Sequence, residues 1–200
     1  MKTELNRLSP FYKINFYFVF LIGLCLLFQP AFAQGNDPTR EQARQVIQNM
    51  IDQSKTQMKA EGISIITQGE ISIQKKDNYY SVTTPKISVG FSDVEASGLE
   101  DLKGMSADIG IIAINMAPAN KPGHWKITTA LPRPIKLNRA DGSEYGSLDF
   151  NKQRTAGLFH EKSSSYLKLD SRFEDISFVS PDGKTPIRMG VMEIMHNLEK

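Results

Sequence analysis

The sequence predicts an α+β fold: one N-terminal amphipathic helix packed on a mostly antiparallel, curved β-sheet arranged as a meander. Three observations carry that prediction. Apolar residues recur near a 3.6-residue spacing over 38–61, and from Ile63 onward the spacing drops to two. The alternating runs are short and separated by turn-forming residues. With glycine counted, about 43 % of residues 34–200 are apolar, slightly below the roughly 45–50 % usual for globular domains. That proportion suits a sheet with one greasy side and one facing water or a ligand.

The elements follow in chain order. Lys2, Arg7 and Lys13 form a positive n-region, and Ile14 to Phe28 is an apolar run of 15 residues broken only by Asn15. Pro30 stops any helix, and Ala31-Phe32-Ala33 places small residues where a signal peptidase reads. A membrane-spanning helix needs about 20 apolar residues, so residues 1–33 read as a cleaved signal peptide. Residues 34–200 then form a single domain in the periplasm or secreted medium. Cys25 follows Leu24, where a lipobox wants a small side chain, and the apolar run continues beyond it through Phe28. It therefore belongs to the leader's core. The exported part holds no cysteine and is expected to stand without disulfides.

Asp37 and Pro38 suit an N-cap and first helical residue. Ala43, Val46, Ile47, Met50, Ile51 and Met58 then make one stripe, and Gly62 stands where a C′ glycine ends a helix. Strands follow at 63–74, with Gly69 as a bend, and at 79–91 after the Lys76-Asp77-Asn78 turn. A polar stretch leads to Ala107–Met116, expected to be a central strand. Trp125, Ile127, Thr129 and Leu131 alternate, and Pro132 and Pro134 assign that strand's end to a sheet edge or a crossover. Asp141-Gly142 and Pro181-Asp182-Gly183 are turns. Further strands are expected at 145–150, 156–161, 165–170, 173–179 and 186–194, giving eight to ten in all.

The tyrosine-valine-proline phrase YYSVTTP at 79–85, following a leader and an amphipathic helix, resembles the YdgA-like and AsmA-like bacterial envelope proteins. The resemblance covers most of residues 38–195 in style. It implies a β-sheet protein, and in some members an apolar groove linked to lipid handling. This chain is shorter than those proteins and has no evident membrane anchor, which leaves a lipid-bridging role unsupported.

Charge excludes one class of partner. The whole chain has a net charge of +2, but without the leader basic and acidic residues number 21 each. No basic run offers nucleic acid a footprint. No glycine-rich phosphate loop, zinc-protease helix or nucleophile elbow occurs, so no cofactor and no resident metal are expected. His160 with Ser163, Ser164 and Ser165 gives the alternative of an envelope hydrolase, although three serines between strands also make a turn. Asp93, Glu95, Glu100 and Asp101 lack calcium-loop spacing. Met189, Met192 and Met195, beside His196, offer soft ligands for Cu(I), but on a strand Met192 would face away from the other two. Phe91, Trp125, Phe150, Phe159 and Phe173 read as core.

The reading favoured by these features is a non-enzymatic exported protein that binds an apolar ligand, such as a lipid, or an envelope partner through its sheet. Strict alternation along the most apolar strands nominates Ile109, Ile111 and Trp125 as ligand contacts.

Overall fold

A computed structural model describes residues 40–92, 102–183 and 187–198. The expected leader, the Asp37–Pro38 helix start and the Asp93–Asp101 acidic group lie outside these residues. The described chain is mostly antiparallel β-sheet with one α-helix, α1 (Arg40–Ala60). The helix ends as the sequence predicts. Gly62 adopts φ +74°, its N–H donates to Lys59 O at 3.2 Å, and Ile63 N–H donates to Met58 O at 2.8 Å. This pair of bonds is a Schellman motif, which satisfies carbonyls the helix cannot reach and requires a left-handed residue.

Nine strands form one sheet: β1 (Ser64–Gln68), β2 (Ser72–Lys75), β3 (Tyr80–Gly90), β4 (Ser106–Pro118), β5 (His124–Ala130), β6 (Ile135–Asn138), β7 (Glu144–His160), β8 (Ser165–Val179) and β9 (Ile187–Asn197). The main path runs β1-β3-β4-β5-β7-β8-β9, with β2 on β3 and β6 between β4 and β7. Thus β5 and β6 share one slot between the same two strands. The segments 145–150 and 156–161, read separately from sequence, belong to the continuous β7, and 165–170 and 173–179 to β8.

Two corrections have physical causes. First, Pro132 and Pro134 lie in the interior of the sheet, between β5 and β6. The ladder hydrogen bonds lost there are replaced by side chains. Gln153 Nε2 donates to Leu131 O at 2.6 Å while its Oε1 accepts from Leu131 N–H at 2.8 Å. Arg133 Nη1 donates to Phe150 O and Asn151 O at 2.8 and 2.9 Å. Interior backbone groups must find partners, and these two long side chains supply them.

Second, the in–out alternation is not continuous. On β4, Ala107 and Ile109 are buried, then Ile114 and Met116, with Gly110 at φ +83° between. On β8, Phe173 and Ile176 are both buried across Asp175, which sits at φ 52°. β7 changes phase between Phe150 and Thr155, and β3 at Thr84 and Pro85, where its register with β4 also shifts. β9 follows suit, since Met189 pairs with Ile176 and Met192 with Phe173. These phase changes lie side by side across the sheet and divide the core. One cluster gathers Ala43, Val46 and Ile47 of α1 with Tyr80, Trp125, Ile127 and Phe159. The other gathers Met58 with Val89, Ile109, Phe150 and Phe173. Fully burying an aliphatic or aromatic side chain of this size contributes about 1.5–3 kcal/mol.

The opposite side of the sheet is ionic. Lys86 pairs with Asp108 at 2.8 Å, Lys152 with Glu174 at 3.1 Å, Arg154 with Asp170, and Arg172 with both Glu174 and Glu193. Exposed pairs of this kind add little stability each, but they identify that face as wet.

Candidate ligand cavity and histidine pair

The phase changes create a void. Regular alternation spaces inward side chains two residues apart, roughly 7 Å at 3.3 Å per residue. Across a phase change the gap is three residues, roughly 10 Å. Where several neighbouring strands skip together, the core is left underfilled. A cavity of about 120 Å³ sits there, between the middle of α1 and the sheet. Ile47, Met50, Ile51 and Ser54 line it from the helix. Ile87, Ile109, Ile112, Leu131 and Phe173 line it from the sheet, and among the described residues no charged side chain lines it.

Most hydroxyls in the wall are engaged by the protein itself. Thr84 Oγ1 donates to Pro85 O at 2.8 Å and accepts from Ile112 N–H at 3.0 Å, replacing ladder bonds lost at the proline. Tyr166 is buried, and burial pushes its phenol well above the ordinary range despite a hydrogen bond with Thr129. Ile51 separates the cavity from a polar groove lined also by Arg44, Gln48, Thr67 and Glu70. Here Arg44 Nη1 donates to Ile71 O at 2.7 Å and Lys55 Nζ to Thr67 Oγ1 at 2.9 Å, tying the helix to the β1–β2 segment.

The three ligand contacts nominated from sequence separate. Ile109 lines the cavity. Ile111 is turned to the opposite side and is 54 % exposed, because Gly110 inverts the phase that strict alternation assumed. Trp125 is buried outside the cavity wall, its indole N–H donated to Glu161 Oε1 and its ring 6.2 Å from Tyr80. The wall residues Thr84, Ile112, Tyr166 and Phe173 were not nominated. Gly110 within an isoleucine run, and Pro85 within a strand, were the local signs of them.

A second cluster stands on the wet side at the paired ends of β5 and β7. His124 and His160 are directly opposite in register, with ring centroids 4.5 Å apart. His124 Nδ1 lies 2.8 Å from Pro122 O, and His160 Nδ1 lies 3.0 Å from Ser163 Oγ, which is 2.9 Å from Ser165 Oγ. Partial burial, then the neighbouring His124, hold the His160 pKa below its ordinary value, and Glu161 opposes them. The contact with Ser163 joins the two residue types on which the hydrolase alternative rests. The adjacent carboxylate, however, is engaged by Trp125 rather than by either imidazole.

Among the described residues, no group of three or more histidine, cysteine or acidic side chains is arranged to hold a metal. The three methionines do not converge: Met189 and Met192 pair with core residues, and Met195 pairs with Asp170 on the ionic side. This corrects the expected partition, which set Met192 apart. No helix among the described residues is long and apolar enough to cross a membrane. No protein-family model, curated protein or solved structure matches the chain.

Proposed function

We propose that this is an exported, non-enzymatic binding protein of the periplasm or secreted medium, which holds the apolar part of a ligand between α1 and the sheet that curves around it. The uncharged cavity beneath the helix carries this reading. Its wall is largely aliphatic and aromatic, most of its hydroxyls are engaged within the protein, and the other side of the sheet is committed to water by ion pairs. An apolar cavity of roughly 150 Å³ stays dry and accepts benzene. A pocket of 120 Å³ therefore suits a ring or the end of a hydrocarbon chain, with any polar group left in the groove beyond Ile51. The export reading rests on the leader pattern of residues 1–33.

Two measurements test the binding. Organic extraction of the purified protein followed by mass spectrometry should release an apolar compound. Benzene or hexane should also raise the melting temperature of extracted protein, by mass action on the folded state. Ser54→Leu, which fills the cavity from the helix side, should abolish the ligand-induced shift while the unliganded melting temperature is kept or raised. Absence of both an extracted compound and a shift in the parent protein overturns the proposal.

A further inference from the structure

We propose that His124 and His160 form a binding site for one divalent transition-metal ion of the imidazole-preferring class, Cu²⁺, Ni²⁺ or Zn²⁺, held through the Nε2 atoms of both rings. The site is separate from the cavity and does not depend on it. Three observations build it.

The first is register. His124 of β5 faces His160 of β7 directly, and their rings lie 4.5 Å apart. Two backbone strands already fixed by their ladder thus present two imidazoles side by side. Little ordering entropy remains to be lost when one ion takes both.

The second is the hydrogen bonding of the other ring nitrogens. Pro122 O can only accept, so His124 Nδ1, 2.8 Å away, carries the proton and leaves the lone pair on Nε2. His160 Nδ1 is held at 3.0 Å by Ser163 Oγ, whose hydroxyl can in turn donate to Ser165 Oγ at 2.9 Å. In that arrangement Nδ1 donates, and Nε2 again holds the lone pair. A ligating histidine is commonly fixed in this way, its second nitrogen donating to a carbonyl or another acceptor that sets tautomer and ring orientation.

The third is room and charge beside the rings. Gly123 has no side chain, and a Cβ built there would lie 3.9 Å from both His160 Cδ2 and Glu161 Oε2. The carbon adjoining Nε2 and the second carboxylate oxygen of Glu161 therefore border one uncrowded space. That carboxylate offsets part of the ion's charge, against the repulsion of Lys162. With two protein nitrogens, the remaining positions are left to water, so the site is of modest affinity and follows the order Cu²⁺ above Ni²⁺ and Zn²⁺.

The sequence makes the test clean, because it contains only three histidines and its one cysteine lies in the leader. Protein beginning at Gln34 is titrated calorimetrically with nickel and zinc chloride near neutral pH, and its imidazole ¹⁵N resonances are recorded. One equivalent of metal is expected, with the Nε2 signals of His124 and His160 shifting together. His124→Gln and His160→Gln should each weaken binding at least tenfold. Ser163→Ala, which removes only the orienting hydroxyl, should weaken it about tenfold. His196→Gln should leave it unchanged. Melting curves without metal identify any variant that has lost its fold, and in that event the resonances of the parent protein decide. The proposal is overturned by absent binding, by affinity that survives both glutamine substitutions, or by a shift confined to His196.

Discussion

At the scale of single residues, two positions carry consequences that can be measured. Tyr166 is buried against the cavity, and its folded pKa is raised by desolvation. A phenol whose folded pKa exceeds its unfolded value, about 10, contributes stability that is intact below pH 10. That contribution is lost as pH rises beyond it. Tyr166→Phe should therefore cost about 1 kcal/mol near neutrality, from the lost bond with Thr129. The difference from the parent protein should shrink in chemical denaturation series above about pH 10. A constant difference across that range would show that the phenol does not titrate between folded and unfolded states as described. Gly110 is the other position. At φ +83°, with Pro132 Cγ only 3.1 Å from where a Cβ would stand, Gly110→Ala should destabilise by about 1–2 kcal/mol, from left-handed strain and contact together. An alanine variant as stable as the parent would contradict the assignment.

At the scale of elements, the Leu131 side of the break between β5 and β6 depends on one amide. Gln153→Ala would leave both Leu131 backbone groups without their partner, at about 1–3 kcal/mol. Hydrogen exchange at the Leu131 amide should accelerate before exchange in β5 or β7. Much of this level was legible in sequence. The helix, its Gly62 terminus, the turns and the antiparallel pairing all follow from local spacing and turn chemistry. The joined strands β7 and β8 were not, because the polar stretches 151–155 and Ser171-Arg172 look like breaks when read locally. Only their long-range pairing shows that each strand changes phase and continues. Ile111 illustrates the same limit. A two-residue period assigned it to the face of Ile109, and a glycine conformation set by tertiary contact reversed it. Among the candidate site residues, Ile109 was legible for that reason, and Thr84 and Tyr166, polar residues buried by distant partners, were not.

For the whole molecule, the two core clusters and the void between them belong together. Each cluster is packed around residues from one end of α1, so the helix bridges a gap that the sheet does not close by itself. Lys55→Ala should loosen the tie between α1 and Thr67 with a small loss of stability, within about 1 kcal/mol for a part-exposed hydrogen bond. If apolar ligands enter past Ile51, the same change should speed their association and release together. Unaltered exchange rates in stopped-flow measurements would point to a route elsewhere. The ionic side of the sheet is remote from that process and should tolerate single charge removals at Lys152 or Arg154 with little effect.

The step in phase also constrains how this chain can diverge. On β7 and β8, Phe150 still faces Ile176 and Lys152 still faces Glu174; on β8 and β9, Glu174 and Ile176 face Val191 and Met189. Neighbours therefore carry the same surplus residue at the same height. A one-residue deletion in β8 would leave half of it out of step with both flanking strands, exchanging greasy and charged positions along that half. Flattening the sheet would need matched losses in several strands at once, so drift by single deletions has no gradual path to erase the hollow.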